Sequence, residues 1–191
     1  MSLNTRKEIK HKHVATANPS PVFNYSFVVQ QHKSKSNHWD FRLQVGNSMY
    51  SWAIPKGPSL NPREARLAVE TAPHSIAYSG FEGVISKGLY GAGKVMLWDA
   101  GKYSGYANEN EIKDGIRSGI LKFELDGEKL KGRWALVRTG ENWILIKAND
   151  KYASKTLDIV KHSPLSVKSH KSIAGITEDD GLIMKRTDLG W

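Results

Sequence analysis

From Tyr25 to about Lys147 the chain is written in short apolar runs of Val, Ile, Trp, Tyr and Phe, punctuated by Gly, Pro and Asn. That texture predicts strands joined by tight turns. Alternation is strictest from His38 to Leu43. There His38, Asp40 and Arg42 fall on one face and Trp39, Phe41 and Leu43 on the other, because strand side chains have period two. The aromatic face is expected to meet the core and the polar face to meet solvent. A hairpin is predicted from Ile120–Leu125 through Asp126-Gly127 to Leu130–Arg138, and a second tight connection, Thr139–Asn142, leads into Trp143–Lys147. Only Asn108–Ser118 reads as a helix of any length, with Gly119 as its stop. Many short strands and so little helix predict an all-β fold, a small closed antiparallel β-barrel with one or two short flanking helices.

The flanks differ from this barrel, expected over residues 25–155. Residues 1–24 carry four Lys/Arg against one acid and end in Asn18-Pro19-Ser20-Pro21, which predicts a basic N-terminal arm. Residues 156–191 balance five basic against five acidic residues and read as a weakly structured C-terminal tail with a short helix near Leu157–Lys161. The longest apolar runs are four residues, so no segment is expected to span a membrane. Net charge changes the picture more. Twenty-eight Lys/Arg against 19 Asp/Glu give +9, which favours polyanionic partners such as nucleic acid. Cysteine is absent, which excludes disulfides, thiolate metal sites and Cys nucleophiles, and fits a cytoplasmic location.

The candidate chemistry sits on the polar face of the alternating strand. Gln30 and His32 share a face on the strand before it, and the loop Lys33–Asn37 can fold one strand back beside the other. His32 then approaches His38 and Asp40. Two imidazoles and a carboxylate suit a divalent ion, and the hard carboxylate moves the preference toward Mn or Fe. Three protein ligands also leave positions open for chemistry. Arg42 beside such an ion suits a phosphate, which guanidinium meets with a planar fork. Further on, the rigid turn Pro55-Lys56-Gly57-Pro58 holds Lys56 outward, and Arg66 and Glu70 bracket an apolar strand. If that strand is extended, Glu70, Ala72 and His74 share a face. Gly88-Leu89-Tyr90-Gly91-Ala92-Gly93 lacks the order of a dinucleotide fingerprint and reads as a flexible turn into strand Lys94–Asp99.

Taken in order, these runs resemble the 3′-phosphoesterase family, best known as a module of bacterial ligase D proteins of non-homologous end joining. The motifs are Phe27–His32, His38–Leu43, Trp52–Ser59, Arg66–Glu70, His74, Tyr78, Phe81-Glu82-Gly83, Tyr90–Gly93, Trp98-Asp99, Leu130–Arg138 and Trp143–Lys147. The resemblance implies a β-barrel and a manganese-dependent enzyme, other divalent metals being admissible, that trims 3′ ends of DNA or RNA-tipped DNA. Such an enzyme removes a terminal ribonucleoside to leave a 3′-phosphate, then hydrolyses the phosphate to a 3′-hydroxyl. It further implies that His32, His38 and Asp40 hold the metal and that Arg42 and His74 engage the scissile phosphate. Lys56 and Arg66 would add charge around a terminal phosphate, Gln30 and Tyr78 would position groups nearby, and a separately encoded ligase or polymerase would be the partner. Ser166–Ile176 resembles the linker that follows this module in larger ligases, and a chain ending at Trp191 reads as a free-standing member.

Two departures stand out. The family's acidic residue two positions before the later histidine is Ala72 here, and its N-terminal Arg-Asp pair and Glu have no convincing counterpart in residues 1–24. Glu70 is a candidate replacement for the missing acid. Two other readings use part of the pattern. A non-haem iron oxygenase could take His38, Asp40 and His74 as a facial triad, and a catalytically silent nucleic-acid-binding barrel would use the basic charge and six Trp.

Overall fold

The computed structural model describes residues 25–185, so the basic arm expected over residues 1–24 lies outside the described residues. The strands are β1 (Tyr25–Lys33), β2 (Asn37–Val45), β3 (Ser48–Ile54), β4 (Arg66–Ser75), β5 (Gly83–Ile85), β6 (Gly93–Ser104), β7 (Ile120–Gly127), β8 (Lys131–Thr139), β9 (Asn142–Lys147) and β10 (Leu182–Ile183). Eight of them close a ring in the order β1-β2-β3-β4-β9-β8-β7-β6, with β6 returning to β1, and every pair in the ring is antiparallel. Closure leaves the ring with no free edge. The first half of β6 also pairs with β5, onto which β10 adds in parallel. The helices are α1 (Glu109–Ser118), capped by the Asn108 side chain and closed by Gly119, and the four-residue α2 (Ile159–His162). No helix among the described residues is long and apolar enough to cross a membrane.

Inward-facing Phe27, Val29, Trp39, Phe41, Leu43, Trp52, Trp98, Tyr103, Phe123, Trp134 and Trp143 fill the barrel. The alternation read from the sequence places Trp39, Phe41 and Leu43 there, as the expectation had it. The opposite face differs from that expectation. Gln30, His32, Asp40 and Arg42 point away from the barrel interior yet are buried, because a second layer covers them. This layer is the chain from His74 to Ala92 together with the C-terminal residues. It carries its own apolar contacts, Tyr78, Ile85, Val95 and Ile183 in one cluster and Val28, Met49 and Leu97 with Val167 in another.

Residues 156–185, expected as a weakly structured tail, pack onto the barrel. The local pattern had hidden this, because the tail is held by single anchors and not by a periodic face. The buried Glu82 carboxylate accepts from the Leu97 amide at 2.7 Å and from the Ser166 hydroxyl at 2.5 Å. Lys168 Nζ donates to the Gly80 carbonyl, and the Val84 and Ser86 amides donate to Gly181 and Ile183 carbonyls. Glu82→Ala would leave a buried amide and hydroxyl unsatisfied. An expected loss of about 1–3 kcal/mol follows, to be read from urea unfolding; an unchanged midpoint would show that the tail is not anchored there.

Candidate active site

The short turn between β1 and β2 sets the register, and the register sets the site. His32 lies directly opposite His38, Gln30 opposite Asp40 and Val28 opposite Arg42. Their donor atoms converge. One ligand atom each from His32, His38 and Asp40 lies within 4.8 Å of the others, with His32 Nδ1 3.8 Å from Asp40 Oδ2 and His38 Nε2 3.6 Å from Asp40 Oδ1. Those two separations are too long for hydrogen bonds. Two ligands on one ion at about 2.0–2.2 Å each can be at most about 4.4 Å apart, so both pairs fit a shared ion. The other ring nitrogens are occupied. His32 Nε2 is 2.7 Å from the Gly91 carbonyl and His38 Nδ1 is 3.2 Å from the Ser36 carbonyl. A carbonyl can only accept, so each ring donates there and turns its lone pair toward Asp40, the arrangement that orients metal-ligating histidines.

Arg42 organises the other side. Its Nε donates to Gln30 Oε1 at 2.8 Å, Nη1 to Ser51 Oγ at 2.7 Å and to His74 Nδ1 at 2.8 Å, and Nη2 to Asp40 Oδ2 at 3.0 Å. A guanidinium has five N–H groups, so four are taken and one remains. The planar fork expected to grip a phosphate is therefore held by the protein itself, and Arg42, only 2% exposed, acts chiefly by orienting its neighbours. Gln30 is held in turn by donating to the carbonyls of Tyr78 and Phe81. Tyr78 stacks on His74 at 5.1 Å between ring centroids and lies 5.2 Å from the Arg42 guanidinium carbon.

These contacts fix protonation. Burial opposes charge on Asp40, but its neighbours, led by the Arg42 guanidinium, outweigh it and hold the carboxyl below the usual range. His74 is pushed down to about 4 by burial and then by the Arg42 charge, which together overcome Asp40. Burial pushes the Tyr78 hydroxyl up to about 12. The shift favours a neutral His74 imidazole, whose Nδ1 then accepts the Arg42 N–H. In metal-free protein its ring should remain neutral at pH 6, where an ordinary histidine is largely charged. The unfolded chain binds the extra proton between its ordinary 6.5 and about 4, so this contribution to stability is complete above 6.5 and is lost as pH falls toward 4. Ring carbon–proton shifts against pH test this, and a midpoint near 6.5 would refute it.

The bulge between β3 and β4 corrects another expectation. Met49 pairs with His74 but Ser51 pairs with Thr71, so an extra residue on β4 breaks strict alternation. Thr71 and His74 consequently line the same cavity, while Glu70 pairs with the core residue Trp52 and accepts from Trp143 Nε1 at 2.9 Å. Glu70 does not join the site and cannot stand in for an acid at Ala72. Lys56 is exposed in the turn after β3, and Arg66 is bound to Glu64 at 2.6 Å; neither lines the cavity. His74, which the oxygenase reading requires as a ligand, takes an Arg42 N–H instead. Sequence reasoning missed Ser51, Ser36 and Gly91, which orient Arg42, His38 and His32. Two of these act through backbone carbonyls, which carry no side-chain signature; the glycine-rich run around Gly91 was the one available signal.

The sequence model of the DNA ligase D 3′-phosphoesterase domain matches residues 30–138, more than half of the chain. The chain belongs to the DNA ligase D 3′-phosphoesterase domain family. It is 42% identical over 154 residues to the multifunctional non-homologous end joining protein LigD of Pseudomonas aeruginosa, covering 77% of this chain and 18% of that protein. To the multifunctional non-homologous end joining DNA repair protein LigD of Mycobacterium tuberculosis it is 34% identical over 164 residues, covering 85% and 21%. The LigD protein of Mycolicibacterium smegmatis is 37% identical over 144 residues, covering 73% and 19%. The chain spans about a fifth of the length of these relatives. The family match includes every residue of the triad, with Arg42 and His74.

Proposed function

We propose that this chain is a divalent-metal-dependent hydrolase of phosphate esters that processes 3′ ends of DNA or RNA-tipped DNA in end-joining repair. The observation that carries this is the convergence of the His32–His38–Asp40 donors with the Arg42–His74 pair in one cavity of about 500 Å³. Membership of the 3′-phosphoesterase family supports the same reading. The donor set fits a divalent ion, with both histidines turned by carbonyls toward Asp40, and the hard carboxylate moves the preference toward manganese or iron. An ion held there would supply a Lewis acid for a phosphate oxygen and a more acidic bound water.

The residues around it do the positioning. His74 and the remaining Arg42 N–H line the place a phosphate oxygen would take, where positioned donors favour the charge that develops on the phosphoryl oxygens. Tyr78, stacked on His74, fixes the ring plane. Lys56 and Arg66 act through their field on a terminal monoester, which carries more charge than a diester. Lys56→Ala should therefore slow phosphate removal more than diester cleavage, by a margin that shrinks as salt rises; a greater loss on the diester would overturn that role. Two reactions are expected, removal of a terminal ribonucleoside and hydrolysis of the resulting 3′-phosphate, in service of a ligase or polymerase.

The test is manganese with duplexes whose primer ends in one ribonucleotide or in a 3′-phosphate. Conversion to a 3′-phosphate and a 3′-hydroxyl, respectively, supports the proposal. Tight duplex binding without either product would instead favour a silent nucleic-acid-binding barrel.

A further inference from the structure

Where β1 ends and β6 begins, strand register collects positive charge at the rim of the barrel. Lys33, the last residue of β1, lies directly opposite Lys94 of β6 on one side and Asn37 of β2 on the other. Like charges directly opposite one another weaken a strand pair. The two strands are also close here, since a Cβ on Gly93 would sit 2.3 Å from the Lys33 carbonyl. Two residues beyond Lys33, in the β1–β2 turn, Lys35 lines the active-site cavity.

The fold supplies these cations with no counter-charge. Elsewhere Lys113 meets Glu109, Lys131 meets Asp126 and Lys171 meets Asp180. Among the described residues no ion pair joins Lys33, Lys35 or Lys94 to a carboxylate. Lys33 and Lys35 are exposed. Lys94 is half-buried and its Nζ donates to the Ala174 carbonyl at 2.8 Å, which steadies it and leaves two of its three N–H groups. A single bound anion would need one of these cations. Uncompensated lysines leading away from a phosphate-processing cavity match instead a chain of regularly spaced phosphates, the backbone of a nucleic acid.

We propose that Lys35, Lys33 and Lys94 form a backbone track that holds the phosphates next to the reacting end of the substrate strand. Lys35 faces the first phosphate on the 5′ side of that end, and Lys33 with Lys94 face those that follow. This rests on the end-processing reading and adds to it the path along which the strand enters. Contacts of this kind fix position and are blind to sequence.

The test uses the full chain and duplexes ending in a 3′-phosphate, intact or with one linkage near that end replaced by a neutral methylphosphonate. Binding is read by fluorescence anisotropy, without added metal, across a range of salt. Lys33→Ala/Lys35→Ala should flatten the slope of log affinity against log salt by about 1.8, the worth of two phosphate contacts. Lys94→Gln, which keeps an N–H donor for the Ala174 carbonyl, should flatten it by about 0.9. A neutral linkage beside the end should weaken wild-type binding and cost the double variant little more, because groups in contact do not add. Lys113→Ala is the control, on α1 beside the β2–β3 turn at the other end of the barrel, and should leave the slope unchanged. An unchanged slope in the double variant, an equal fall in Lys113→Ala, or losses that add in full would each overturn the track. With manganese added, processing by a wild type indifferent to these lysines overturns this inference alone. Coupled losses in binding without processing overturn the end-processing reading alone, and neither coupling nor processing overturns both.

Discussion

A His38→Ala protein should fold like the wild type and lose manganese-dependent end processing by roughly a thousandfold or more, the upper end of what a lost electrostatic contact to a developing charge costs. His38 is the safest member of the triad to remove. It is partly exposed, and among the described residues its ring bonds the Ser36 carbonyl, faces Asp40 and touches the His32 ring, outside the barrel core. Asp40 is a harsher test, because its carboxylate partners the buried Arg42, and truncating one member of a buried ion pair typically costs about 3–5 kcal/mol. Asp40→Asn keeps an acceptor for Arg42 while removing the charge that an ion needs. Calorimetric titration with Mn²⁺ should show weakened binding in both variants, alongside the lost activity. Normal activity in His38→Ala would remove the triad from the mechanism.

Arg42→Lys should be nearly as damaging, although it conserves charge. An ammonium has three donors on a flexible stem and cannot serve Gln30, Ser51, His74 and Asp40 together. Asp40 and His74 would lose their common brace, and displacement of reacting groups by about an ångström can cost on the order of a hundredfold in rate. We expect kcat to fall by about that factor, with a smaller change in KM, since Arg42 retains one free N–H for substrate. The His74 titration supplies a readout that a purely structural role would not move. Its midpoint should rise from about 4, because no guanidinium then donates into Nδ1. A wild-type rate with an unmoved His74 midpoint would refute this role.

Much of this was legible along the chain because it is local. Period-two alternation placed Trp39, Phe41 and Leu43 in the core and His38, Asp40 and Arg42 on the opposite face. A short polar loop between two strands was enough to predict that His32 faces His38 and Asp40. The α1 helix and the β7–β8 hairpin announced themselves through their caps and turn residues. The all-β barrel followed from the density of strands.

Other features depend on contacts between distant segments, and there local pattern had nothing to say. A one-residue bulge on β4 took Glu70 out of line with His74, leaving it exposed with its carboxylate on Trp143, and brought Thr71 into line with His74. No periodicity announces a bulge, because it arises from how two strands must bend to close a ring. The outer face of β1 and β2 was expected to meet solvent, but the chain from His74 to Ala92 and the C-terminal residues cover it. That burial is what gives Arg42 its four protein partners and keeps His74 neutral, since desolvation and nearby charge act through space and not along the sequence. The residue types that could hold an ion were therefore determined by the sequence itself, through alternation and the hairpin. Their protonation states, their orientation by backbone carbonyls and the absence of Lys56, Arg66 and Glu70 from the cavity were decided only when the barrel closed and its second layer packed down.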